Sequence, residues 1–296
     1  MRVDRRGRPA TICGMDAIMN ERLDSALRGI VVRAWRLHLE TPGVQATVPM
    51  LRGVWGAALK GLSESLYHDC FVGGEAGTPH YVLRPAPPEA RPAPAVEFLL
   101  FEPPDRQADD VVWAAWDLAC RSGLGLQRRP FALCEVHPLA WDGMPLRPSR
   151  SQPGFALGSL PWATDDPSGA CRLEFRAPLR LIYRGRLVER PTLADVTIAA
   201  LRRVQSLATT SADALWSDRQ SWLDLARQIA CEPWEGARLD LIRYSGSQKR
   251  ELELRGVSGS LLLPEGPGPL APLLAASTWL HIGKGSVMGL GQLQIG

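Results

Sequence analysis

The chain has 296 residues and a mass of 32.4 kDa. Its apolar fraction of 45% can fill one large or two ordinary cores and excludes wholesale disorder. Its net charge is +3 from 34 cationic and 31 acidic residues, and every cation except Lys60, Lys249 and Lys284 is Arg, whose planar fork fits phosphate and stacks on bases. The same abundance of Arg, Ala, Gly and Pro also fits a GC-rich coding sequence. No apolar run approaches the roughly 20 residues that cross a bilayer, so no membrane partner is expected. The basic N-terminus is followed by no apolar signal region. Six cysteines without a CxxC pair read as reduced thiols in a cytoplasm, with no structural zinc and no cofactor expected.

In chain order, residues 1–25 read as a basic tail. From residue 28 to 40, Val31, Arg33, Trp35, Leu37 and Leu39 alternate with Ala34, Arg36, His38 and Glu40, which predicts a strand with one polar face. Residues 50–67 carry apolar side chains at helical spacing. A Pro-rich extended stretch and an apolar run, 96–101, follow. Asp109 and Asp110 open a helix that ends at Gly123, before a strand over 131–136. The order is strand, helix, strand, strand, helix, strand, over residues 26–140. Residues 141–170, rich in Pro, Gly and Ser, read as a linker.

Residues 171–296 repeat the order. Leu173, Phe175, Ala177, Leu179 and Leu181 alternate with Arg172, Glu174, Arg176 and Arg180, again a strand with one apolar and one charged face. A helix over 193–207 and an additional one over 217–229 follow. Strands are expected near 238–244 and 251–263, a short helix over 270–276, and closing strand pieces over 278–282 and 292–295. The fold class is α+β: two tandem ferredoxin-like βαββαβ domains, with a helical insertion in the second.

Each half places a glycine-rich stretch between its last helix and last strand: Gly123-Leu-Gly-Leu-Gln-Arg128-Arg129, and Gly283-Lys284-Gly285-Ser286-Val-Met-Gly289-Leu-Gly291. Glycines permit positive backbone torsions and let main-chain N–H groups approach a phosphate. A tight turn is the plain alternative. The nucleotide-binding GxxxxGK[ST] pattern is absent.

The second stretch in context, Trp279-Leu-His-Ile-Gly-Lys-Gly-Ser-Val-Met-Gly-Leu-Gly-Gln-Leu, resembles the C-terminal signature of the CRISPR-associated repeat-processing endoribonucleases of the RAMP superfamily. Arg243-Tyr-Ser-Gly-Ser-Gln-Lys249, Leu51-Arg-Gly-Val-Trp-Gly-Ala-Ala-Leu59 and Gly123-Leu-Gly-Leu-Gln-Arg-Arg-Pro-Phe131 are similar to further stretches of that family, so the resemblance spans residues 28–296. It implies a metal-independent enzyme that holds CRISPR repeat RNA, with its crRNA hairpin, and cuts it once by attack of a ribose 2′-OH. The product stays bound and other CRISPR effector subunits are candidate partners. A non-catalytic RAMP subunit that binds guide RNA is the alternative.

The family pattern does not fix the general base. His38 on the first strand and His68 at the end of the first helix compete with Arg52 near that helix's start. Arg52, Lys60 and His68 do not converge, being spread about 160° around a helix axis. Arg36, Arg52 and Arg243 are the leading candidates to position phosphate and stabilise developing charge, since Arg does not readily lose a proton. His281 reads as a core residue, and His80 and His137 as surface residues beside prolines. Residues 172–203 hold eight Arg against three acidic residues, and Arg202, Arg203, Arg219 and Arg227 are expected to form a helical RNA clamp, with Lys249 and Lys284 adding phosphate contacts.

Overall fold

The computed structural model of the chain describes residues 10–73, 78–92, 94–102, 109–161, 169–208, 212–245 and 250–296. In order these form α1 (Ala10–Arg28), β1 (Val31–Glu40), α2 (Val48–Leu62), α3 (Glu64–Tyr67), β2 (Tyr81–Pro85), β3 (Ala95–Glu102), α4 (Asp109–Ser122), β4 (Ala132–Pro138), β5 (Phe155–Ala156), β6 (Cys171–Leu179), β7 (Ile182–Tyr183), β8 (Arg186–Leu187), α5 (Leu193–Leu207), α6 (Ala212–Ser217), α7 (Arg219–Gln228), β9 (Glu235–Ser245), β10 (Arg250–Leu263), α8 (Ala271–Leu280) and β11 (Leu293–Ile295). They fall into two compact units. Residues 30–156 with Val287–Gly289 make the first, and residues 10–29, 157–286 and 290–296 the second.

The first unit is an antiparallel sheet in the order β2-β3-β1-β4, with β5 added beside the start of β1. The second is β11-β6-β10-β9, also antiparallel. Numbered within each unit, both sheets run second, third, first, fourth strand. That is the split βαβ order of a ferredoxin-like domain, so the two tandem domains read from the sequence are present, with α6 and α7 as the insertion in the second.

Local chemistry sets the element ends. Helix α2 begins with Pro49 in its first turn, where the missing N–H is no loss. It stops at Ser63, whose extended backbone closes α2 and opens α3, its hydroxyl accepting from the Leu66 N–H at 3.2 Å. The single helix expected over 50–67 is therefore two, continued by a wider turn over His68–Val72. Thr192 and Asp195 form a reciprocal capping box at the start of α5.

Three further expectations differ from the structure. The region read as a basic tail contains α1, which buries Met19, Leu23, Ala26 and Leu27 at helical spacing in the second unit and pairs Arg22 with Asp218 at 2.7 Å. The stretch read as a linker contains β5 and the buried Leu157. Residues 278–280 are the last turn of α8 rather than strand, because that segment is apolar on every side and shows no period to separate helix from strand.

The core of the first unit is aromatic. Trp55 on α2 meets Trp116 on α4 at 5.9 Å, Phe98 on β3 at 5.0 Å and Tyr81 on β2 at 5.0 Å. All four are fully buried. Trp55→Ala removes the side chain shared by both helices and the sheet, and is expected to cost about 3–5 kcal/mol. Chemical denaturation of the variant checks this, and a loss under about 1 kcal/mol would show that the cluster is not what holds the helices to the sheet.

Candidate active site

Strand β1 lies between β3 and β4, and its register decides which polar groups meet. Arg36 opposes Glu97 on β3 and His137 on β4, and Glu97 in turn opposes Arg84 on β2. Directly opposed residues share a sheet face. Arg84, Glu97, Arg36 and His137 therefore form one polar row across four strands. Two residues further along β1 on the same face, His38 opposes Glu135. The expected polar face of β1 exists, but it is solvated only at its Glu40 end: His38 is 3% exposed, and Glu97, opposite Arg36 on β3, is 2% exposed.

The row is electrically paired at its centre. Glu97 accepts from Arg36 at 2.8 Å through one carboxylate oxygen and from Arg84 at 2.7 Å through the other. Arg36 is thus bound to a buried carboxylate, which reduces what it offers an RNA phosphate.

The two histidines have different hydrogen-bond partners. His137 Nδ1 lies 2.9 Å from the Leu146 carbonyl and its Nε2 lies 2.9 Å from a Glu135 carboxylate oxygen. Both partners only accept, so the contacts are satisfied together when the ring is protonated and donates from both nitrogens. The bond to Glu135 and the one to the Leu146 carbonyl hold its pKa above the ordinary 6.5, against desolvation, while the same bond holds Glu135 below the usual carboxylate value. His38 Nδ1 donates to the Pro92 carbonyl at 2.5 Å, which in the neutral ring puts the lone pair on Nε2. The two rings meet edge to face with centroids 5.5 Å apart. His38 lines an open cleft of about 440 Å³ with Glu40, Pro92, Pro94 and Cys134. A lone-pair imidazole beside an imidazolium is an arrangement that can take one proton and give another.

The other candidates are dispersed. Arg52 donates from Nε to the buried Tyr81 hydroxyl at 2.7 Å and lies 4.4 Å over the Phe71 ring, and burial raises the Tyr81 hydroxyl above its ordinary value. His68 is exposed where α3 passes into the wider turn. Arg243 lies in β9 opposite Leu252, and Lys249 lies outside the described residues.

The first glycine stretch is a tight turn closed by mutual backbone hydrogen bonds between Leu124 and Arg129 at 2.8 and 3.0 Å, with Arg128 exposed and Arg129 donating to the Gly43 carbonyl. In the second, Lys284 is exposed and Ser286 opens a short helical turn. Gly291 has φ +68° and a side chain there would strike the Ile282 carbonyl, so this glycine serves the turn itself. Gly283, Gly285 and Gly289 also have positive φ.

Of the residues expected to form the helical clamp, Arg202 and Arg219 each lie 5.5 Å from the centroid of the Trp216 ring, and Arg227 pairs with Asp224 on the surface. Arg203 is a correction. It falls on the same face as Ala200, Val204 and Leu207, is 6% exposed, and donates to the Leu280 carbonyl at 3.2 Å, and burial lowers its pKa to about 10. It belongs to the core of the second unit and offers no surface contact.

Glu135 went unnoticed in the sequence, and His137 was read as a surface residue. The available signal was their i, i+2 spacing on a strand, which puts both on one face. What the sequence did not supply was the register that brings that face to His38.

Residues 173–293 match the family model described as CRISPR-associated endoribonuclease Cas6. Among solved structures, the chain is similar to a product complex of a Thermus thermophilus Cas6, with TM-score 0.59 and 16% identity over 89% of this chain and 98% of that one. It is similar to a second Cas6 product complex, with TM-score 0.58 and 18% identity over 90% and 99%. It is also similar to a partial Cas6-RT-Cas1–Cas2 complex, with TM-score 0.52 and 14% identity over 90% of this chain and 46% of that one. At such identities the likeness is one of fold. No curated protein matches the chain in sequence.

Glu97→Ala takes the carboxylate away from two guanidiniums, both with side chains no more than 12% exposed. Removing one partner from a buried ion pair costs about 3–5 kcal/mol. Denaturation of Glu97→Ala is expected to show a loss of that size, and a loss below about 1 kcal/mol would mean that water already reaches the row.

Proposed function

We propose that this chain, whose residues 173–293 match the model of the Cas6 CRISPR-associated endoribonucleases, cuts CRISPR repeat RNA without a metal and uses His38 as its general base. The single observation that carries this reading is the hydrogen bond from His38 Nδ1 to the Pro92 carbonyl, which in the neutral ring makes Nε2 the basic nitrogen of an imidazole lying 5.5 Å from the ring of His137.

In this reading His38 Nε2 takes the proton of the ribose 2′-OH. The 2′-oxygen attacks the adjacent phosphorus, the bond to the 5′-oxygen breaks, and the products are a 2′,3′-cyclic phosphate and a 5′-OH. The His137 cation stabilises the charge that builds on the phosphoryl oxygens and can return a proton to the departing 5′-oxygen. Arg36 and Arg84, both engaged by Glu97, brace the strand register that sets the two imidazoles 5.5 Å apart.

Binding belongs to exposed cations elsewhere. Lys284, Arg128, Arg129, Arg202, Arg219 and Arg227 are exposed and offer phosphate contacts, and Trp216 with its two guanidiniums offers a surface on which an unpaired base can stack. Such contacts let the enzyme keep its product and serve within an effector assembly.

Single-turnover cleavage of repeat RNA is expected to persist in EDTA, to vanish when the nucleotide 5′ of the cut carries a 2′-deoxyribose, and to fall about 10²–10⁴-fold in His38→Ala, the range for loss of a general base. Cleavage that requires added divalent metal would overturn the reading. RNA binding without any cleavage would instead make the chain a structural RNA-binding subunit.

A further inference from the structure

We propose that His38, Glu135 and His137 form a binding site for a borderline divalent transition-metal cation of the Zn²⁺ type, and that a cation bound there silences RNA cleavage. The second half rests on His38 serving as the base. The first half stands on geometry alone.

One potential ligand atom from each of the three residues lies within 4.8 Å of the other two. The donors come from two neighbouring strands: Glu135 and His137 are two residues apart on β4, and His38 is the register partner of Glu135 on β1. Backbone pairing rather than a loop sets their spacing.

The surroundings favour ligation. Both imidazoles are anchored through Nδ1 to a backbone carbonyl, Pro92 for His38 and Leu146 for His137. A metal-binding histidine is commonly held this way, since the outer bond fixes the ring and directs the basic Nε2 to the ion. Two nitrogens and one carboxylate oxygen suit Zn²⁺, Co²⁺ or Ni²⁺ and not Mg²⁺ or Ca²⁺, which prefer all-oxygen sets. Ligands about 2.0–2.2 Å from a tetrahedral ion stand roughly 3.3 Å apart. His137 Nε2 and the Glu135 oxygen are already 2.9 Å apart, so little movement is needed there.

The exchange balances in protons. The proton now held between His137 Nε2 and Glu135 leaves for solvent, and the freed nitrogen lone pair and the carboxylate oxygen both turn to the cation. The His38 Nε2 lone pair makes the third bond, and water takes the fourth position. A base whose lone pair is bound to a metal cannot accept the 2′-OH proton. The sign is thus opposite to that of a metal-dependent nuclease.

The test titrates Co²⁺ into chelator-treated full-length protein and reads the visible absorption of bound Co²⁺. One equivalent is expected, with affinity lowered at least about tenfold in both Glu135→Gln and His137→Gln; Glu135 is exposed, so its variant is expected to fold, which circular dichroism checks. No stoichiometric binding by the native chain, or binding unchanged in both variants, would overturn the site. In a second arm, equimolar Zn²⁺ is expected to slow single-turnover cleavage at least tenfold, with EDTA restoring it. Cobalt binding by this trio without inhibition by zinc would overturn the silencing and leave the site standing. Failure of the metal-free enzyme to cleave repeat RNA would count against the proposed function and would not alter the cobalt result.

Discussion

Glu97 is the residue on which the first unit's polar face depends. A carboxylate 2% exposed is tolerable only when its charge is answered, and here Arg36 and Arg84 answer it from the strands on either side. Those bonds tie β2, β3 and β1 in one register. A one-residue slip would turn every side chain of a strand to the opposite face. The same register extends to β4, where it sets His137 opposite Arg36 and Glu135 opposite His38. The arrangement of the site is therefore a consequence of strand pairing, stabilised from the β3 side of β1 by the Glu97 ion pairs.

This arrangement separates duties that are easily confused when cations are abundant. Arg36 and Arg84 neutralise Glu97, Arg203 is buried against a carbonyl, and Arg52 lies between a tyrosine hydroxyl and a phenylalanine ring. The exposed cations that remain suit phosphate binding. Nothing about an Arg side chain in isolation separates these roles; what separates them is whether a carboxylate, a carbonyl or water lies at its end.

The fold was largely legible because it rests on local signals. Alternation marked β1 and β6, helical spacing marked α2 and α5, and the two halves repeated the same order. The elements missed lacked such contrast: α8 is apolar all round, and α1 was masked by the basic residues that precede it. The site was less legible. His38 could be placed on a strand face, but its partner Glu135 is almost a hundred residues away, and only pairing of β1 with β4 unites them. Likewise, Arg36 looked free until β3 supplied Glu97. Non-local pairing carries no signal in a single stretch of sequence, so the side chains most dependent on it were the least predictable.

General-base catalysis by this pair requires a lone pair on one imidazole and two protons on its neighbour. Imidazole nitrogen NMR on the full-length protein reads both directly. His38 is predicted to carry its proton on Nδ1 with Nε2 bare, and His137 to keep both nitrogens protonated until the pH rises past a value above the ordinary 6.5. A proton found on His38 Nε2 with Nδ1 bare, or a His137 that loses its second proton below pH 6.5, would contradict the account.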